Sequence, residues 1–244
     1  MREDNTIYGI HALEEALDAG KTINKVMVTK GLKNELLEQV LKKARNKGIA
    51  VQMVPKESAV FPRQRNHQGV VANISPVAYY SLEDLLPSLF EKGIEPFIIV
   101  LDQITDVRNF GAIARSAVCA GVHALVIPKM GSVLVTDDAI KTSAGALLKI
   151  PVCREMNMKT TMELLNQSGV TTVGLSEKAN KELPYVELTG PVALVMGSEE
   201  TGLSLDVLKR CAMLTKIPMF AGVGSLNVSV AAGIAMYEVV RQKG

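Results

Sequence analysis

Leu214-Thr215-Lys216-Ile217-Pro218-Met219-Phe220-Ala221-Gly222-Val223-Gly224-Ser225-Leu226-Asn227, continuing as VSVAAGIAMYEVVRQ, reads as a strand, a loop and a helix in immediate succession. The apolar strand, Leu214 to Ile217, should stop at Pro218, which has no N–H to give a ladder. Gly222 and Gly224 allow positive φ and a close backbone approach to a ligand. Ser225, Asn227 and Ser229 fall in the first turns of the helix, where a short polar side chain caps free N–H groups or turns to a ligand. Ala231, Ala232, Gly233 and Ala235 leave almost no side chain on the helix, so another backbone is expected very near. A tight helix–strand contact with an ordinary cap reads the same way.

Upstream from this stretch, apolar strands alternate with helical patterns back to Pro96: PFIIVLD, HALVIP, IPVCR, VTTVGLS and PVALVMG, separated by GAIARSAVCAGV, DDAIKTSAGAL and MKTTMELLNQSG, with SLDVLKRC after the last. Near-continuous apolar strands with helices between them predict a parallel sheet covered on both faces. Residues 75–96 hold three prolines and one short helical pattern, and within them 76–95 are expected to link this domain (96–244) to a smaller one (1–75). The small domain reads as a helix over 7–19, a strand at Lys25–Thr29, a helix over Asn34–Lys47, and strands at Ile49–Val54 and Gln68–Ile74.

Composition excludes several classes. The 244 residues are 48% apolar and 21% charged, an ordinary globular balance. No apolar run approaches the roughly 20 residues of a membrane span, and the polar start MREDNTIYG does not resemble a signal peptide. Cys119, Cys153 and Cys211 are odd in number and set among apolar neighbours, which suits a reducing, cytoplasmic compartment. Neither they nor His11, His67 and His123 have metal-ligand spacing, so no metal is expected. Residues 1–75 carry 12 Lys/Arg against 8 Asp/Glu, whereas residues 76–244 carry 15 against 17. The positive excess lies in the small domain, as a polyanion-binding surface or a lysine-rich solvated helix requires. Its loop Arg63-Gln64-Arg65-Asn66-His67 offers two guanidiniums to phosphate, or is a solvated turn.

Three glycine-bearing loops follow strand ends, where open α/β sheets bind ligands. The first runs from Asp102 to Gly111 into a helix bearing Arg115; Asn109, read as the N-cap, and Arg115 are nearly two turns apart. An arginine inside a helix of Ala, Ile, Val and Cys needs an anion, from the protein or from a substrate. The second, Gly197-Ser198-Glu199-Glu200-Thr201-Gly202, places two carboxylates after a buried strand, as general base or as helix-entry charges. The third is the stretch quoted first. Neither G-x-G-x-x-G nor G-x-x-x-x-G-K-[ST] occurs after a strand, which disfavours dinucleotide and nucleoside-triphosphate binding.

In order and spacing, NFGAIAR, LVMGSEETGLS and IPMFAGVGSLNVSVAAG resemble the three motifs of the SpoU (TrmH-type) RNA 2′-O-ribose methyltransferases of the SPOUT class. The likeness runs from about residue 97 to 242, and the head (IYGIHALEEAL through HQGVVA) resembles that family's RNA-binding domain. The resemblance implies an α/β fold: a SPOUT-type parallel sheet with a deep trefoil knot near 191–244, plus a small N-terminal α/β RNA-binding domain. It implies a cytoplasmic homodimer, without metal or membrane, that methylates RNA from S-adenosylmethionine. Within the family the likeness is to the branch acting on a guanosine of 23S rRNA. Transfer RNA as substrate, or an inert RNA-binding or ribosome-assembly protein of the same fold, are the alternatives.

By motif position the cofactor falls to Gly197, Ile217 and Leu226, with Met196, Met219 and Ser225 close by. The catalytic set is Arg115, Asn109, Glu199, Ser225 and Asn227, and RNA contacts fall to Arg63, Arg65 and His67. Arg115, too basic to be a free base, is read as binding the neighbouring phosphate or the developing alkoxide. Glu199 would orient Arg115 or accept the proton, and Asn109, Ser225 and Asn227 would position ribose and cofactor.

Overall fold

Between Phe97 and Thr215 the apolar runs become strands of one parallel sheet. The computed structural model describes residues 5–62, 64–220 and 225–244. Two units are distinguished, Met1–Ala78 with Leu134–Thr136, and Tyr79–Val133 with Asp137–Gly244.

In the first unit β1 (Thr6–Tyr8), α1 (Ile10–Asp18), β2 (Ile23–Thr29), α2 (Glu35–Asn46), β3 (Ala50–Val54) and β4 (Val70–Ile74) follow in order. The sheet order is β1-β4-β2-β3, with β2 and β3 parallel and the other pairs antiparallel. The two helices bury one apolar face each, Leu13 and Leu17 from α1 and Leu37, Val40 and Ala44 from α2, against Val26, Val28 and Val70. Asn34 starts α2 by accepting from the Leu37 amide at 3.0 Å. The helix expected over 7–19 is shorter at its start. Thr6–Tyr8 is a strand, because its edge pairs with Val71–Asn73, a partner no local periodicity reveals.

The second unit contains α3 (Leu82–Glu91), β5 (Phe97–Leu101), α4 (Val107–Cys119), β6 (Ala124–Pro128), α5 (Asp137–Thr142), β7 (Val152–Glu155), α6 (Met158–Gln167), β8 (Thr171–Leu175), β9 (Val192–Met196), α7 (Leu205–Leu208), β10 (Met213–Thr215) and α8 (Val228–Lys243). Its sheet order is β10-β8-β9-β5-β6-β7, and every pairing is parallel. Strands β5 and β9 are buried along their whole length, which is why they read as unbroken apolar runs. Helix α3, inside the stretch read as a linker, packs Leu82 and Leu86 into this unit's core with Val100, Val126 and Cys153.

Several boundaries differ from the sequence reading, three of them beside the motif loops or the helices that carry them. β10 ends at Thr215 instead of Ile217. Helix α4 begins four residues before Gly111, at Val107. Helix α5 breaks after Thr142, where Ala144 and Gly145 take left-handed backbone angles. Gly111 is the close approach in this region: a Cβ there would stand 2.7 Å from the Thr142 side chain. Gly233 is not, since a Cβ built there meets nothing within 4 Å; the tight contact expected of it inside the chain is absent. Ala232 and Ala235 are the buried small residues of α8, which packs on α4 and β9.

Burial pushes the thiols of Cys153 and Cys211 up to about 12, with Glu155 and Asp102 respectively adding to the effect, whereas Cys119 is exposed. A thiol reagent at pH 8 should therefore modify Cys119 in the native protein and all three cysteines only in denaturant, as read by mass spectrometry. Both folded pKa values lie above the ordinary 9.0, so this contribution to stability is complete below pH 9 and lost as pH rises toward 12. Urea melts from pH 8 to 11 should show the decline, reduced in a Cys153→Ala/Cys211→Ala protein.

Candidate active site

The parallel register sets Leu101 opposite Met196, so the loops leaving β5 and β9 start side by side. Asp102, buried at 2% exposure, ties them further: its amide donates to the Met196 carbonyl at 2.8 Å, and its Oδ2 accepts from the Ser204 amide at 2.7 Å. The loop after β9 is closed on itself by the reciprocal backbone pair Ser198–Gly202, at 3.1 and 2.9 Å, and by the Ser198 hydroxyl accepting from the Thr201 amide. It leaves no room for a side chain at Gly197, where a Cβ would stand 2.2 Å from the carbonyl carbon of Gly202.

Glu199 projects from this loop. Its Oε1 accepts from Asn227 Nδ2 at 2.6 Å, Val228 N at 3.0 Å and Asn109 Nδ2 at 3.2 Å. Asn227 Nδ2 also donates to Asn109 Oδ1 at 3.0 Å, while Asn227 Oδ1 accepts from the Ser229 and Val230 amides and caps α8. Three segments far apart in sequence are thus joined by side chains that all three motifs supply. Asn109 is the third residue of α4 and not its cap; the cap is Asp106, whose Oδ1 accepts from the Asn109 amide at 2.8 Å. An aspartate three residues before Asn109, at the entrance to the apolar-periodic stretch, was the available signal.

Arg115 is exposed on α4, and no described carboxylate lies within ion-pair distance of it. The internal salt bridge considered from sequence, and the pairing with Glu199, are not formed. Neither is the residue hidden from water: the apolar positions of α4 face inward, and Arg115 falls on the other side.

Beside the clasp lies a cavity of about 790 Å³, within the range of small-molecule sites. Met196, Gly197, Ile217, Met219, Ser225 and Leu226, the cofactor set expected from sequence, all line it. Residues not singled out from sequence, among them Gln103, Lys178, Leu205 and Lys216, line it too. Lys178 follows β8 and Leu205 starts α7, and the parallel sheet brings them to the edge that also holds Gln103 and Lys216. In the first unit, Arg65 is exposed with its guanidinium 5.5 Å from the centre of the Tyr8 ring. His67 is engaged within its own loop, stacked on Phe61 at 5.0 Å and accepting from the Gly69 amide through Nδ1 at 2.9 Å. Arg63 lies outside the described residues. Among the described residues no group of three His, Cys, Asp or Glu side chains is placed to hold a metal, and no helix is long and apolar enough to cross a membrane.

Residues 96–237 match the SpoU rRNA Methylase family, and residues 6–80 match the domain described as RNA 2′-O ribose methyltransferase substrate binding. A Staphylococcus aureus protein assigned to the TrmH family of tRNA/rRNA methyltransferases is 37% identical over 241 residues, 99% of this chain and 97% of its own. The fold is shared with the SpoU methyltransferase AviRb of Streptomyces viridochromogenes, solved with AdoMet, at TM-score 0.61 and 22% identity over 97% of this chain and 89% of that one. An AdoMet-bound rRNA methyltransferase of Sinorhizobium meliloti is similar at TM-score 0.60 and 25% identity, over 97% and 86% of the two chains. A parallel sheet with three motif loops at one edge, preceded by a match to an RNA methyltransferase substrate-binding domain, defines a class of RNA-modifying enzyme. The chain belongs to the SpoU rRNA methylase family of RNA methyltransferases.

Gly197→Ala should cost about 1–3 kcal/mol of unfolding free energy by overpacking the loop, measured by urea denaturation. An unchanged midpoint would contradict the backbone contact at that position.

Proposed function

We propose that this enzyme transfers a methyl group from S-adenosylmethionine to a ribose 2′-hydroxyl, that of a guanosine in 23S rRNA. The observation that carries the reading is the Asn109–Glu199–Asn227 clasp beside a cavity lined by every expected cofactor residue. The cavity suits the cofactor: Met196, Ile217 and Leu226 supply apolar surface, and Gly197 lets the loop that lines it fold back on itself. Bound there, S-adenosylmethionine supplies an electrophilic methyl group. The rRNA assignment is supported by the family's description and by the Sinorhizobium rRNA methyltransferase, whose likeness spans both units.

The chain's own residues divide the work as follows. Arg115, exposed and without an ion pair among the described residues, is available to take a phosphate oxygen or the developing alkoxide with its planar fork. Glu199 Oε1 is occupied by three donors, whereas Oε2 makes no hydrogen bond to a described residue. Oε2 is therefore the acceptor for the 2′-hydroxyl proton. Asn109 and Asn227 spend their amides on each other and on Glu199, so they hold the carboxylate in place, and Ser225 faces the cofactor from the third loop. The first unit, 1–75 in the reading from sequence, holds RNA through Arg63 and Arg65, with His67 shaping the loop. Residues 76–95 join it to the methyltransferase domain, 96–244.

The same reading includes a knotted tail near 191–244. Helix α8 follows β10 at the sheet edge yet packs on α4 and β9, a return that a threaded tail requires. It also includes a cytoplasmic homodimer. Val230, Ile234, Tyr237 and Val240 are exposed at helical spacing on α8, Tyr237 by 69%, and Gly233 sits among them with open space above it. A second copy would cover this stripe, with Gly233 letting two backbones approach.

Incubation with methyl-labelled S-adenosylmethionine and unmodified transcripts should label 23S rRNA at one ribose 2′-oxygen. Label on tRNA alone would reassign the substrate, and no label with no cofactor binding by calorimetry would remove the enzymatic reading. Arg115→Lys should lower kcat about 10- to 100-fold with cofactor affinity kept; near-normal turnover would exclude the fork. Glu199→Gln should lower the single-turnover rate constant with cofactor affinity kept. Tyr237→Arg should shift sedimentation from dimer to monomer.

A further inference from the structure

Among the described residues three non-glycines have left-handed backbone angles: Gln68 at φ 48°, Ala144 at φ 51° and Gln103 at φ 61°. That region is disfavoured for side chains with a Cβ and is retained where the surroundings or a function demand it. Two of the three are explained within the fold. Gln68 turns so that its Oε1 accepts from the Ile10 amide at 3.2 Å, and Ala144 closes the end of α5, its amide donating to the Lys141 carbonyl at 3.0 Å.

Gln103 has no such internal task. It is exposed, its carboxamide makes no hydrogen bond to a described residue, and it lines the cavity. The position next to it is fully committed, since Asp102 is buried and holds both the β9 end and the Ser204 amide. A glycine would take the turn at Gln103 without strain. The chain instead keeps a long amide there, with one donor group and one acceptor aimed away from the protein's own hydrogen bonds.

Its place indicates which ligand the amide meets. The apolar lining attributed to the cofactor comes from β9 and from the segment after β10, at Met196, Ile217 and Leu226. Gln103 follows β5, on the far side of β9 from β8 and β10, and leads into α4 with Asn109 and Arg115. Substrate must reach the methyl group from that side. Resting on the methyl-transfer reading above, we propose that the Gln103 carboxamide hydrogen-bonds the RNA nucleotide that receives the methyl group and helps select it.

Gln103→Gly separates this from a structural role, because it removes the amide and the strain together. The variant should melt at or above the wild-type temperature and bind S-adenosylmethionine within about twofold of wild type. Its KM for the unmodified rRNA or tRNA transcript that accepts methyl should rise roughly tenfold. Gln103→Asn, which tolerates the left-handed turn and keeps a shorter amide, should recover part of the loss. An unchanged KM overturns the proposal while leaving the methyl-transfer reading in place, as does a loss of cofactor affinity that accounts for the KM change. A wild-type protein that neither binds cofactor nor transfers methyl removes both, before any variant is made.

Discussion

Leu101 lies opposite Met196 in the parallel ladder of β5 and β9, and the rest of the site depends on that register. A slip by one residue would turn every side chain of either strand to the other face of the sheet. Both strands are wholly buried, so no alternative register would leave the core filled. With the register set, Asp102 and Gly197 leave their strands next to each other, and the loops that follow cannot avoid contact.

The contact is made by charge. One oxygen of Glu199 gathers N–H groups from α4, from the residue that caps α8 and from the first amide of α8 itself. Hydrogen bonds to a carboxylate are about twice as strong as neutral ones, and a helix N-terminus adds its own favourable field. The start of the helix, capped by Asn227, is therefore also held by a residue from a different loop. One side chain thus ties the last helix to α4 and to the loop after β9.

Helix α8 has two faces with different tasks. Val228, Ala232, Ala235, Met236 and Val239 are buried against the chain's own core, while Val230, Ile234 and Tyr237 face outward. An all-round apolar helix has no solvent face, and within this chain only half of it is covered. The small residue that looked like an internal contact, Gly233, belongs to the uncovered half.

Much of this was legible in the sequence. The apolar runs of the second unit marked a parallel sheet because a strand buried on both faces needs no alternation. The three motif loops were legible by their order and spacing, since glycine, asparagine and serine taken singly also serve turns and caps. What the linear order did not contain was partnership. Thr6–Tyr8 looked helical until its antiparallel neighbour was in view, and Arg115 looked buried until α4 was placed with its apolar side inward. Asn109 passed for a cap, whereas Asp106 holds that position. Local propensity and periodicity depend on neighbours within a turn or two, so the sequence alone determined elements and candidate chemistry. Which oxygen meets which amide across 90 or 118 residues was decided only by the sheet that brings the loops together.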